Sequence, residues 1–181
     1  MLTSWGLKVK VYPSHAEEIH PQAIDIEQDI VVNARLKGQE VWARRQDIDI
    51  NPPYILVAAD TLVVQGDRVF GKPRDLQEAH QFIEMLGGRP HQVWTGVFLK
   101  ASGSGEERTA AVRTDVTLKC LNDMERQALF SAVNPLDKAA GYGYQDSPWI
   151  VQAIQGSKTN VFGLPMSTVL HLIHQLSSVA C

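Results

Sequence analysis

Apolar and polar positions alternate in some stretches of the chain and recur at helical spacing in others. Leu7 to Tyr12 (LKVKVY) alternates apolar and basic residues and predicts a half-buried strand ended by Pro13-Ser14. Pro21 to Arg45 predicts a long helix, with Ile24, Val31, Ala34, Leu36, Val41 and Trp42 near helical spacing among good helix formers. Asn51-Pro52-Pro53 breaks that pattern and launches Ile55-Leu56-Val57-Ala58-Ala59. This run is too short for a helix and β-branched enough to predict a strand buried on both faces, with Asp60 at its end. A Gly66-Asp67 turn then folds a second short strand back beside the first, towards Gly71-Lys72-Pro73.

Capping signals place the next elements. Asp75-Leu76-Gln77-Glu78 reads as a capping box ahead of the stripe Ala79, Phe82, Ile83 and Leu86, and Gly87-Gly88 stops that helix. His91 to Ala101 and Thr109 to Lys119 predict an antiparallel pair turning at Gly103-Ser104-Gly105. Asn122-Asp123-Met124-Glu125 is a second capping box, for a helix through Val133 that ends before Pro135. Trp149 to Ile154 predicts another strand and Gly156 to Gly163 a loop, after which Pro165 starts a final amphipathic helix through Leu176. The order of elements predicts an α/β chain with a mixed sheet.

Composition narrows the classes of function. At 181 residues the chain is expected to be one domain or a compact two-lobed unit, large enough to bury a core without staples. A net charge of −3 gives no pull towards nucleic acid or anionic membranes, so locally placed Lys and Arg must meet any anionic ligand, which points to a small molecule. Cys120 and Cys181 are the only cysteines and lack a C-x-x-C spacing, against a disulfide framework, zinc site or redox pair. No run of 18 or more apolar residues occurs, and Met1 to Val11 lacks the basic start and apolar core of a signal peptide. The expectation is a soluble, cytoplasmic protein.

Several residues could carry chemistry. Asp60 at a strand exit is either a turn cap or a carboxylate facing a ligand, since open α/β sheets bind ligands beyond the carboxyl ends of their strands. Lys72, a hairpin's length further on, brings a cation back towards it, an arrangement suited to a phosphorylated substrate with a metal ion. His15-Ala16-Glu17-Glu18 is either an exposed acidic loop or a carboxylate delivered to the same place, and Lys37 is either a solvated helix lysine or part of that site. PLDKAAGYGYQ (Pro135 to Gln145) joins two glycines to Asp137, Lys138, Tyr142 and Gln145. It reads as a plain Gly-rich loop or as one whose lysine holds phosphate and whose amide reads a base edge. His171 and His174, at i and i+3 on a helix with no acidic residue, read as surface or packing histidines. Gly71-Lys72 runs into Pro73 and is no Walker loop, which favours hydrolysis over transfer to an acceptor.

Five stretches together carry a resemblance. Ala59-Asp60-Thr61 with Val63-Val64, Gly71-Lys72-Pro73, GRPHQVWTGV (Gly88 to Val97), DKAAGYGYQ (Asp137 to Gln145) and NVFGLP (Asn160 to Pro165) resemble, in order, the motifs of the Maf nucleoside triphosphate pyrophosphatases. The resemblance covers nearly the whole chain from Val9 and implies one Maf-like domain over residues 1–181. The implied fold is an elongated mixed sheet flanked by helices, inosine triphosphatase-like, with two lobes around a cleft and a homodimer. It implies Asp60 as the catalytic carboxylate and a metal ligand, with Glu18 as its partner in holding Mg²⁺ or Mn²⁺. Lys37, Lys72 and Lys138 are the implied phosphate contacts, and Thr61 and Gln145 match positions concerned with substrate choice. The stretch Tyr142 to Gln145 is similar to the branch acting on dTTP and UTP and unlike the one acting on 7-methyl-GTP.

Family members open with a strand and a Ser-x-Ser-Pro-Arg-Arg loop leading into a helix. Met1 to Leu7 resembles the end of that helix, so the β-loop-α unit is expected to be missing from these residues. The implied activity is hydrolysis of a nucleoside triphosphate to the monophosphate and pyrophosphate. The alternative is a nucleotide-binding or regulatory protein of the same fold that does not turn over.

Overall fold

The computed structural model describes residues 1–47 and 50–178; Cys181 lies outside them. Among the described residues five strands form one sheet: β1 (Ile55–Gln65), β2 (Arg68–Phe70), β3 (Pro90–Ala101), β4 (Glu107–Leu118) and β5 (Val151–Gln155), in the order β2-β1-β3-β4-β5. Among them run α1 (Ile26–Ala43), α2 (Leu76–Leu86), α3 (Asp123–Ala132), the single turn α4 (Lys158–Val161) and α5 (Met166–Ser178). The α/β class is as expected, but all four strand pairings are antiparallel where a mixed sheet was expected. The hairpins β1-β2 and β3-β4 impose that direction on their own pairs, and α2 returns the chain for β3 to run against β1.

Local signals explain most of the boundaries. Asn122 and Glu125 make the reciprocal capping box expected of them. Asp75 caps α2 through the Glu78 amide, but the Glu78 carboxylate reaches the Arg74 N–H and guanidinium instead of closing the box. The expected loop from Gly156 to Gly163 contains α4, which Ser157 caps through the Asn160 amide.

Three expectations are corrected. β1 does not stop at Ala59 but continues through Thr61, Leu62, Val63 and Val64 to the Gly66-Asp67 turn, so Asp60 is a mid-strand residue. The long helix begins at Ile26 and not at Pro21, which leaves Ile24 outside it and 89% exposed. Leu7 to Tyr12 is not a strand, because an alternating pattern forms one only where an edge pairs with it, and this segment pairs with no strand among the described residues.

Residues 13–22 are strapped along α1, running in the opposite direction. Arg44 donates to the Pro13 carbonyl, the His15 N–H to Glu40 (3.1 Å), the Ile19 N–H to Asn33 (2.8 Å) and the Gln22 N–H to Asp29 (3.0 Å). A segment without regular structure is thereby held at fixed heights on a helix, and Glu18 with it.

Helix α1 covers one face of β1 and β3, and α5 packs on the other against Val97 and Leu99. Two glycines let α1 lie close. A Cβ on Gly38 would fall 2.3 Å from the Phe98 ring, and one on Gly96 only 2.1 Å from the Ile30 carbonyl oxygen. The larger core lies where α2 and α3 close over the far end of the sheet, around Phe70, Phe82, Ile83, Leu86, Leu118 and Leu129.

Candidate active site

Asp60 lies where α1 comes close to the sheet over Gly96. It pairs across the strands with Gly96, so both positions face α1. Its carboxylate is 8% exposed, and a buried carboxylate requires partners. Lys37 Nζ donates to Oδ1 at 2.6 Å and Asn33 Nδ2 to Oδ2 at 3.1 Å, from successive turns of α1. The strapped segment adds Glu18, whose Oε1 lies 3.0 Å from the same ammonium, so Lys37 bridges the two carboxylates. Burial alone would lower the Lys37 pKa; hydrogen bonds and charge from Asp60 and Glu18 outweigh it and hold the ammonium above the ordinary lysine range.

These groups line one side of an open pocket of about 560 Å³, within the range of small-ligand sites. Lys72, Lys138, Gln145 and Thr61 line it as well. The two remaining lysine-bearing loops are tied together, since the Ala140 N–H donates to the Gly71 carbonyl at 2.8 Å. Ala140 and Gly141 both adopt left-handed backbone there (φ 56° and 76°), a strained conformation for the alanine and a free one for the glycine. Gly143 leaves room for the Lys138 stem, because a Cβ would sit 2.9 Å from its Cε. Lys138 Nζ lies 3.1 Å from Asp137 and 3.8 Å from Asp146.

Thr61 belongs to the other side of the sheet. Strand residues alternate, so next to Asp60 it points away from α1, and its hydroxyl meets that of Thr95 at 2.9 Å. Thr95 donates to the Asn160 carbonyl at 3.4 Å, and the fully buried Asn160 amide is 3.0 Å from the Val93 carbonyl and 3.1 Å from that of Val112. Tyr144 and Phe162 stack at 5.4 Å beside the same pocket. β1 pairs with β2 only from Val63 onward, and the pocket takes residues from both faces of β1 before that point.

The chain matches the Maf-like protein family over residues 1–176. It belongs to that family. The dTTP/UTP pyrophosphatase of Dehalococcoides mccartyi is 31% identical over 177 residues, 97% of this chain and 76% of that protein. That of Syntrophus aciditrophicus is 32% identical over 180 residues, 99% of this chain and 85% of its own length. That of Myxococcus xanthus is 40% identical over 143 residues, 78% and 68% of the two chains.

In this Maf-like chain Glu18, Lys37 and Asp60 are in direct contact, while Thr61, Lys72, Lys138 and Gln145 share the pocket without a hydrogen bond to Asp60. Among the described residues no three His, Cys, Asp or Glu side chains cluster as a ready metal cage. Two carboxylates are nevertheless the donor set that Mg²⁺ uses when substrate phosphates and water complete its shell, so Glu18 and Asp60 fit a metal that arrives with nucleotide. Asn33 is the site residue that sequence reasoning missed. The signal was present: Asn33 and Lys37 are polar residues beside the buried Ile26, Ile30, Ala34 and Val41, where a core-facing stripe should be apolar. His171 and His174 lie on α5 as expected, with His171 Nε2 3.0 Å from the Gln175 amide nitrogen.

Among the described residues no helix is long and apolar enough to cross a membrane.

Proposed function

We propose that the chain hydrolyses nucleoside triphosphates of the dTTP and UTP kind to the monophosphate and pyrophosphate. The observation that carries this reading is the buried Asp60 carboxylate joined through Lys37 to Glu18, in a pocket that Lys72 and Lys138 also line. Membership of the Maf-like family and relatives named dTTP/UTP pyrophosphatase supply the substrate class.

The chemistry needs water at the α-phosphorus, a broken bond between that phosphorus and the bridging oxygen, and neutralisation of the pyrophosphate that leaves. Asp60 orients the attacking water and takes its proton, a role that suits a carboxylate fixed by two donors. Lys72 and Lys138 offset charge on the leaving pyrophosphate, and Lys37 keeps the two carboxylates from repelling one another. Glu18 and Asp60 would hold Mg²⁺ or Mn²⁺, which when bound polarises phosphate oxygens as a Lewis acid. Gln145 offers an amide to a base edge and Thr61 a hydroxyl near it. A homodimer working in the cytoplasm completes the reading, on the family resemblance alone.

Pyrophosphate release from dTTP, UTP, CTP, ATP and GTP, with and without Mg²⁺, tests it. Metal-dependent release from dTTP and UTP ahead of the purine triphosphates is expected. Binding of those nucleotides with no release from any would overturn hydrolysis in favour of a nucleotide-binding protein of the same fold.

A further inference from the structure

We propose that Asn33 is a positioning residue of this site, holding the Glu18 segment and the Asp60 carboxylate in one fixed relation; the inference rests on the hydrolytic reading above. Asn33 is 1% exposed, and its amide has no spare capacity on the donor side. Oδ1 accepts from the Ile19 N–H at 2.8 Å, and one Nδ2 hydrogen goes to the Ile19 carbonyl at 3.2 Å. The other goes to Asp60 Oδ2 at 3.1 Å. Both donors of the amide are used, and the orientation is determined, because a flipped amide would set its NH₂ against the Ile19 N–H.

The first two bonds imitate a strand partner. A side-chain amide presents an acceptor and a donor as a backbone peptide does, so Asn33 pairs with Ile19 as a neighbouring strand would. Glu18 immediately precedes that pinned peptide, and its carboxylate meets Lys37 one turn further along α1. The third bond ties the same amide to Asp60. One side chain therefore couples a segment without regular structure to the middle of the sheet. Lys37 attracts both carboxylates but, as a flexible point charge, does not orient them. Asn33 supplies the orientation.

The test is Asn33→Leu, which keeps the branched shape and removes all three hydrogen bonds, with Asn33→Ser as a second variant that leaves room for a water to serve Ile19. Folding is checked by circular dichroism, and whichever variant folds is read. Three results are expected. Turnover with dTTP falls roughly ten- to hundredfold in kcat with KM moving less than about threefold, since the loss is one of alignment at the reacting centre. Mn²⁺ binding to the protein carrying the non-hydrolysable α,β-methylene analogue of dTTP, measured by paramagnetic resonance of the free ion, weakens about tenfold or more, as loss of a group that orients metal ligands predicts. Hydrogen exchange at the Ile19 amide loses its protection.

A variant whose kcat and Mn²⁺ affinity both stay within twofold of the wild type overturns the proposal, even if Ile19 exchange rises, because Asn33 would then be structural only. A wild-type protein that binds Mn²⁺ but releases no pyrophosphate defeats the hydrolytic reading alone, and Mn²⁺ affinity still judges Asn33. A wild-type protein that neither binds Mn²⁺ nor turns over overturns both.

Discussion

Asp60 and Gly96 face each other across β1 and β3, and the side chain that Gly96 lacks is what lets α1 come down onto Asp60. The Ile30 carbonyl of α1 occupies the space a Cβ would need, and Asn33 and Lys37 come after it on the next turns. Gly96→Ala is therefore expected to push α1 away from the sheet. Overpacking against backbone costs about 1–3 kcal/mol, and a displacement near 1 Å at the carboxylate lowers kcat by about a hundredfold. Chemical denaturation and pyrophosphate release measure the two effects; full stability with full activity would mean that the close approach has no role.

Asp60→Asn replaces the carboxylate by a near-isosteric amide that cannot take a proton. It also leaves the Lys37 ammonium with Glu18 as its one charged partner in the site. The expected outcome is loss of about a hundredfold or more in kcat with the fold retained. Pyrophosphate release alongside circular dichroism reads this, and an unchanged kcat would remove Asp60 from the mechanism.

Gln145 lines the pocket from an exposed loop position, where its amide can read a base without serving the core. Gln145→Ala is expected to lower the kcat/KM ratio of dTTP to the other triphosphates by about tenfold, with stability unaltered. A panel of kcat/KM values decides it; a ratio that does not move would place base selection elsewhere.

His91 makes stability depend on pH. Its ring is 2% exposed, with Nε2 2.8 Å from the Tyr142 hydroxyl, and burial holds its pKa down at about 4 against an ordinary 6.5. The unfolded chain therefore binds a proton between those values that the folded chain refuses, so this contribution is complete above pH 6.5 and is lost as pH falls towards 4. The depression corresponds to about 3 kcal/mol. Burial raises the Tyr142 pKa further above this window, so the hydroxyl does not titrate within it. His91→Gln keeps a hydrogen-bonding group there and should flatten the melting temperature between pH 7 and 4 relative to wild type; parallel curves would count against a buried neutral histidine.

Elements whose signals are local were legible in the sequence. Asn122 with Glu125, Asp75 ahead of Leu76, and the Gly66-Asp67 turn each act within a few residues, and each does what its chemistry dictates. Elements that depend on distant partners were less so. Asp60 looked like the end of a strand because a carboxylate interrupts an apolar run, yet the strand continues because α1 supplies a lysine and an asparagine to meet it. Leu7 to Tyr12 has the pattern of a strand but pairs with none among the described residues, and Ile24 has the spacing of a helix that begins two residues later. The site residues named from sequence do line one pocket, but that Thr61 faces away from Asp60 emerges only once both are placed in the same strand.

That placement bears on how such a chain can change over time. β1 is matched to β3 at every position from Ile55 to Val64, and neighbouring side chains on it look to opposite sides. One residue added or removed between Pro53 and Asp60 would leave an apolar strand still able to pair. It would, however, turn Asp60 towards the Thr95 and Asn160 side and present another residue to the ammonium of Lys37, Ala59 after an insertion or Thr61 after a deletion. Individual side chains here can drift one at a time, each at its own cost. The number of residues cannot, so spacing between the Pro52-Pro53 break and the Gly66 turn is the inherited quantity that natural selection must hold constant.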